Sequence, residues 1–68
     1  MEPIEGNIAG GANHGTIVAL IIRDDSGRLH YVNFDHRMFQ HFVEDHPDLT
    51  INNRVRYDPS SKTVEVLN

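Results

Sequence analysis

The sequence contains no cysteine, no tryptophan and a single lysine, and its aromatic residues are three Phe and two Tyr. Without cysteine there is no disulfide staple, no thiolate metal site and no thiol chemistry. No stretch approaches the ~20 apolar residues that span a bilayer. The first residues are acidic rather than basic, so no signal peptide is expected. A basic excess is also missing: six cations face ten carboxylates, a formal net charge of −4. Nucleic-acid modules usually carry the opposite balance, because neutralising phosphates supplies most of their non-specific affinity. Catalytic signatures are absent too. There is no Gly-x-Ser-x-Gly elbow and no His-Glu-x-x-His. The neighbouring carboxylates Asp24-Asp25 and Glu44-Asp45 fall in a turn and at a helix end, where solvated acids are ordinary. The expectation is one small, soluble, cytoplasmic domain over residues 1–68, not an enzyme, with no cofactor and no membrane partner.

What is present centres on Gly15 to Phe34. Thr16 to Ile22 is nearly all apolar and half β-branched, which favours a pleated strand over a helix. Arg23-Asp24-Asp25-Ser26-Gly27 breaks the run, and Arg28 to Phe34 resumes it, so the two read as a hairpin. A run apolar on both faces implies a central strand covered on both sides or curled into a barrel. Upstream, Pro3 cannot donate to a ladder, so a strand starts at or after Ile4, with the residues before it frayed. A short first strand then covers Ile4 to Ala9, interrupted by Gly6. Gly10-Gly11-Ala12-Asn13-His14-Gly15 reads as a connecting turn. It lacks the GK[ST] ending and the following helix of a phosphate cradle.

Downstream the period changes. Met38, Phe39, Phe42 and Val43 form one stripe of a helix over Asp35 to Asp45, with Asp35 as N-cap and a stop at His46-Pro47. So short a helix depends on docking its two Phe residues. Asp48 to Asn53 is a loop anchored by Leu49 and Ile51. Arg54 to Tyr57 alternates, with Val55 and Tyr57 inward. Asp58-Pro59-Ser60-Ser61 is turn chemistry. Thr63 to Leu67 returns with Val64 and Val66 inward, and Glu65 faces Arg54 or Arg56. The order is three strands, one helix, two strands. The fold class is therefore all-β: a five-stranded OB-type barrel with one short helix between strands 3 and 4, its binding face on strands 2 and 3. An SH3-like barrel is the alternative, although it usually has only a 3₁₀ turn where this chain has an amphipathic helix.

Leu20-Ile21-Ile22-Arg23-Asp24-Asp25-Ser26-Gly27, Tyr31-Val32-Asn33-Phe34 and Val55-Arg56-Tyr57-Asp58-Pro59 together resemble a divergent cold-shock-like domain, whose third strand reads Phe-Val-His-Phe. The resemblance implies that Tyr31, Asn33 and Phe34 face nucleic acid. The chain departs from the family on its second strand. There the family has Lys-Gly-Phe-Gly-Phe-Ile, and this chain has Val18 and Leu20 in place of the two aromatics. Each base stacked on an aromatic is worth ~1–3 kcal/mol, so the missing platforms weaken binding.

Two function classes follow. The first is single-stranded RNA or DNA binding through strands 2 and 3, with Tyr31, Asn33 and Phe34 at the bases and Arg23, Arg28, Arg54 and Arg56 at the phosphates. The second is an acidic protein-interaction module, an adaptor or inhibitor, that does not bind nucleic acid. Against the first, Tyr31 also suits a half-buried strand position, Phe34 suits the core, and arginines usually pair with nearby carboxylates. The five histidines give no metal signature. His36, His41 and His46 are spaced by five, ~500° of helical rotation per step, so they spiral rather than converge.

Overall fold

In the computed structural model, which describes residues 2–67, five antiparallel strands and one helix make a single small unit. The strands are β1 (Ile4–His14), β2 (Ile17–Asp24), β3 (Leu29–Asp35), β4 (Arg54–Asp58) and β5 (Thr63–Val66), and α1 (His36–Asp45) lies between β3 and β4. The sheet order is β3-β2-β1-β4-β5. Fraying expected at the first residue falls on Met1, outside the described residues. No helix is long and apolar enough to cross a membrane among the described residues.

The largest departure from the sequence reading is β1. Gly10 and Gly11 lie inside the strand, which runs unbroken for 11 residues and pairs with β2 from Gly6 to His14. The turn is only Gly15-Thr16. Gly15 takes a φ of 76° and Thr16 does not turn positive, the pattern of a two-residue II′ hairpin loop. A glycine cluster signals backbone freedom. Here that freedom serves a bend, because the register with β2 shifts between Ile8 and Gly10. A bulge of this kind bends a strand and increases its twist. Beyond Ile8 the other side of β1 has no strand beside it among the described residues; Ile8 itself is tied to the loop before β4, its N–H donating to the Asn53 carbonyl at 2.9 Å and its carbonyl accepting from Asn52 at 2.8 Å.

Gly6 is required for a different reason. It sits between Asp24 of β2 and Val55 of β4, and a Cβ built on it would lie 2.2 Å from the Arg23 carbonyl oxygen. No side chain fits there, so only glycine lets β1 approach β2 this closely.

The core collects on one face of the curled sheet. Ile8, Leu20, Ile22, Val32, Phe34 and Val55 are buried together, with Ile22 and Val55 fully enclosed. Phe39, Phe42, Leu49, Tyr57, Val64 and Val66 pack against them. The strand readings of Val55, Tyr57, Val64 and Val66 as inward therefore hold. Asp35 caps α1, its carboxylate accepting from the Met38 N–H at 2.8 Å. The helix docks through Phe42, stacked on Phe34 at 5.6 Å between ring centroids, and Phe39, edge-on to Phe34 at 5.9 Å. Met38 and Val43, read as part of the same stripe, stay exposed, because the ten-residue helix meets the sheet along only its Phe ridge. Ile51 is likewise exposed and anchors nothing, whereas Leu49 does pack on the core. The sheet is all-antiparallel. No ladder joins β3 to β5 among the described residues, so it keeps two edges rather than closing by hydrogen bonds.

These constraints predict two losses of stability. Ile22→Ala leaves a cavity in a fully enclosed site and should cost ~2–5 kcal/mol, a large share of what so small a domain has. Gly6→Ala should cost ~1–3 kcal/mol or more by forcing β1 off β2. Urea unfolding monitored by circular dichroism checks both. An unchanged midpoint for Gly6→Ala would show that the two strands are not held at this distance.

Candidate functional site

The β2–β3 turn positions everything on the candidate face, and Asp24 builds that turn. The Asp24 N–H donates to the Arg28 carbonyl at 2.9 Å and the Gly27 N–H to the Asp24 carbonyl at 3.0 Å, leaving a three-residue loop. One carboxylate oxygen of Asp24 accepts from the Ser26 N–H, the Ser26 hydroxyl and the Arg28 N–H at 2.9, 2.6 and 2.9 Å. The other meets His30 Nε2 at 2.7 Å. Those hydrogen bonds, from Ser26 and then His30, hold the Asp24 carboxyl far below the usual carboxylate range.

From this turn β3 alternates. His30, Val32 and Phe34 point into the fold, and Leu29, Tyr31 and Asn33 point out. The outer row is set by register: Leu29 lies beside Arg23, Tyr31 beside Ile21, Asn33 beside Ala19 and Asp35 beside Ile17. Tyr31 is 60 % exposed, Leu29 42 % and Ile17 41 %. The outer surface of β2 and β3 thus carries exposed Ile17, Leu29 and Tyr31, with Ile21 half-buried and Ala19 buried between them.

The seven residues expected at a nucleic-acid site divide. Tyr31, Asn33 and Arg23 share the outer face, and Arg28 sits at the hairpin tip; both arginines are exposed and in no ion pair among the described residues. Phe34 does not join them. It is 7 % exposed with its ring against Phe39 and Phe42, because strand alternation sends it to the side opposite Tyr31 and Asn33. Arg54 and Arg56 lie on the outer face but are engaged. Arg54 makes a two-pronged bond to Asp25 at 2.8 and 2.9 Å and a third to Asn7 Oδ1 at 3.0 Å. The Arg54 guanidinium holds the Asp25 carboxyl below its ordinary range, and Asp25 in turn raises Arg54. Arg56 contacts Glu5 at 3.2 Å and Glu65 at 4.0 Å. Asp25, Arg54, Glu5, Arg56 and Glu65 form one chain of alternating charge across the turn, β4, β1 and β5.

Leu29, Ile21 and Ile17 were not among the expected site residues. The alternation of Arg28 to Phe34 carried the signal for Leu29. Ile17 and Ile21 were masked by the reading that a two-faced apolar strand is covered on both sides. The histidines disperse: His30 joins Asp24, His36 Nε2 bonds the Gly15 carbonyl, and the His46 ring lies 5.1 Å from Phe42. No group of three or more His, Cys, Asp or Glu could hold a metal among the described residues.

A carboxyl with a depressed folded pKa stabilises the fold above its unfolded pKa, near 3.8, and that contribution drains away as the pH falls toward the folded value. Asp24→Asn should therefore lower the urea midpoint near neutrality. Its disadvantage should narrow steadily below about pH 4, where Asp24 of the unfolded chain takes up a proton while the folded carboxyl stays ionised. Urea titrations at a series of pH values measure this; a constant gap between the two proteins down to about pH 2 would mean that Asp24 does not gain from ionisation.

In comparisons with protein-family models, curated proteins and solved structures the chain matches none, so its function is argued from the face just described.

Proposed function

We propose that this chain is a non-catalytic interaction module of OB-type architecture that binds a protein partner through the outer face of β2 and β3. The OB-type assignment is supported by the strand order and by the position of α1 between β3 and β4. The observation that carries the function is the uncovered strip of Leu29, Tyr31 and Ile17 around Ile21, bordered by Arg23. Tyrosine and arginine supply most binding energy at protein interfaces, as large side chains that are desolvated at the centre of a patch. An apolar strip of this kind has no use for phosphate, and the acidic balance of the chain favours a partner with basic character around the contact.

A second reading, single-stranded nucleic-acid binding by a cold-shock-like domain, is favoured by one observation: Tyr31, Asn33 and Arg23 are exposed together on the strands that OB-type domains use, with Arg28 beside them. It ranks below the first for two physical reasons. Arg54 and Arg56 already neutralise carboxylates, so each phosphate contact they made would first break an ion pair. Tyr31 is also the only aromatic on the face among the described residues, where single-strand binders rely on several stacking platforms.

Two measurements separate the readings. In fluorescence anisotropy, labelled single-stranded DNA and RNA should not bind even at low salt. In affinity capture from a cell extract, a specific protein should be retained by the wild type and lost with Tyr31→Ala, whose removal should weaken the isolated complex about 30-fold if Tyr31 is a hot spot worth ~2 kcal/mol. Saturable oligonucleotide binding that weakens with salt and disappears in Tyr31→Ala would overturn the protein reading and establish the nucleic-acid one.

A further inference from the structure

The two free edges of the sheet carry an inference of their own. In an antiparallel sheet of order β3-β2-β1-β4-β5 direction alternates at every step, so β3 and β5 run the same way. They can meet only as a parallel pair, and the described residues show no such ladder. One more strand between them, running against both, would extend the antiparallel pattern from each edge. Six antiparallel strands close on themselves; five do not.

Both edges are prepared for that strand. The Asp24 N–H to Arg28 carbonyl bond marks a hydrogen-bonded pair of the β2–β3 ladder. Bonded and non-bonded pairs alternate along an antiparallel ladder, so the main-chain groups of Tyr31 and Asn33 face away from β2, toward the open edge. The Leu67 N–H to Arg54 carbonyl bond does the same for the other hairpin and leaves the main-chain groups of Val64 and Val66 facing outward. The β3 edge has neither proline nor lysine, two of the usual devices that discourage strand addition. Beside the β3 edge lies a cleft of about 300 Å³ that reaches across α1 to β4 and the β4–β5 turn, lined by Tyr31, Val32, Asn33, Phe34, Met38, Tyr57 and Lys62. Its walls are mostly apolar. Its one cation, Lys62 in the β4–β5 turn, is exposed and in no ion pair among the described residues.

We propose that the seam between β3 and β5 accepts an extended peptide segment of a partner protein, added antiparallel to both strands. Its inward side chains are apolar and meet Met38 and Tyr57, and it carries a carboxylate that meets Lys62. This rests on the protein-partner reading and adds a second contact beside the outer face: main-chain hydrogen bonds at the edge supply affinity, and the cleft and Lys62 supply the choice of sequence.

The probe is a displayed library of random ten-residue peptides panned on the intact 68-residue chain, followed by synthesis of the enriched peptide and amide hydrogen exchange. The expected consensus alternates apolar residues and contains an acidic position. Saturation with the peptide should slow exchange at Tyr31, Asn33, Val64 and Val66. Asn33→Pro removes an outward N–H without touching the β2 ladder, a placement that edge strands tolerate, and should weaken the peptide about tenfold. Lys62→Glu should reverse the preference for the acidic position. If Asn33→Pro fails to fold, the exchange pattern of the wild type decides alone. An enriched peptide that protects none of these four amides and depends only on Tyr31 and Leu29 would overturn strand addition while leaving the outer-face reading intact. A library yielding no binder would also overturn strand addition, and the outer-face reading would still be judged by its own capture experiment with Tyr31→Ala.

Discussion

β1 is the strand on which both halves of the molecule hang. Ile4 to Asn7 pair with β4, Gly6 and Asn7 pair with β2 as well, and beyond the bulge the strand pairs with β2 only among the described residues. Two features make this possible. Gly6 has no Cβ, so the β2 backbone can come against it, and the shift between Ile8 and Gly10 lets the strand turn away from β4. If β1 were straight, the β2–β3 hairpin and the β4–β5 hairpin would lie in one flat sheet, and the apolar sides of both would remain exposed. Curling brings Val32 and Phe34 from one hairpin and Val55, Val64 and Val66 from the other onto a common core. Burial of a Val, Leu, Ile or Phe is worth ~1.5–3 kcal/mol, and a chain of this size has few such residues, so the curl contributes much of the available stability.

The same curl produces the surface. Side chains that alternate inward on β2 and β3 fill the core, and of their neighbours on the outer face Ile17, Leu29 and Tyr31 are exposed and Ile21 is half-buried. The outer face of β1 and β4 is different. It is occupied by an ion-pair chain from Asp25 through Arg54, Glu5 and Arg56 to Glu65. Exposed pairs of this kind add little stability each. They engage two arginines that share a strand face, whereas Ile17, Leu29 and Tyr31 on the outer face of β2 and β3 stay exposed.

Much of this was legible from residue pattern. Asp35 as N-cap, the Phe39–Phe42 docking pair and the inward set Val55, Tyr57, Val64 and Val66 follow from local chemistry and periodicity, and the structure agrees with each. Tyr31 and Asn33 on one side of β3 and Phe34 on the other follow from the same alternation. The glycine run was misread, because glycine reports only that the backbone is free. Whether that freedom makes a turn or a bulged strand depends on the partner strand. Met38, Val43 and Ile51 were also misjudged, since an apolar side chain is buried only where another element reaches it.

By itself the sequence determined the element order, the turns after β2 and β4, the cap of the helix and its Phe docking pair, and the lack of any cysteine. These depend on neighbours a few residues away, through backbone dihedral preference and the periods of helix and strand. Tertiary structure decided what depends on residues far apart in the chain. It gave Arg54 to Asp25 and Arg56 to Glu5, left Ile17, Leu29 and Tyr31 exposed on the outer face of β2 and β3, and set β3 and β5 at the two ends of the sheet with a cleft between β3 and the β4–β5 turn. The physical reason is that ion pairing, burial and strand adjacency are properties of distance in space. Only the bent path of β1 settles those distances.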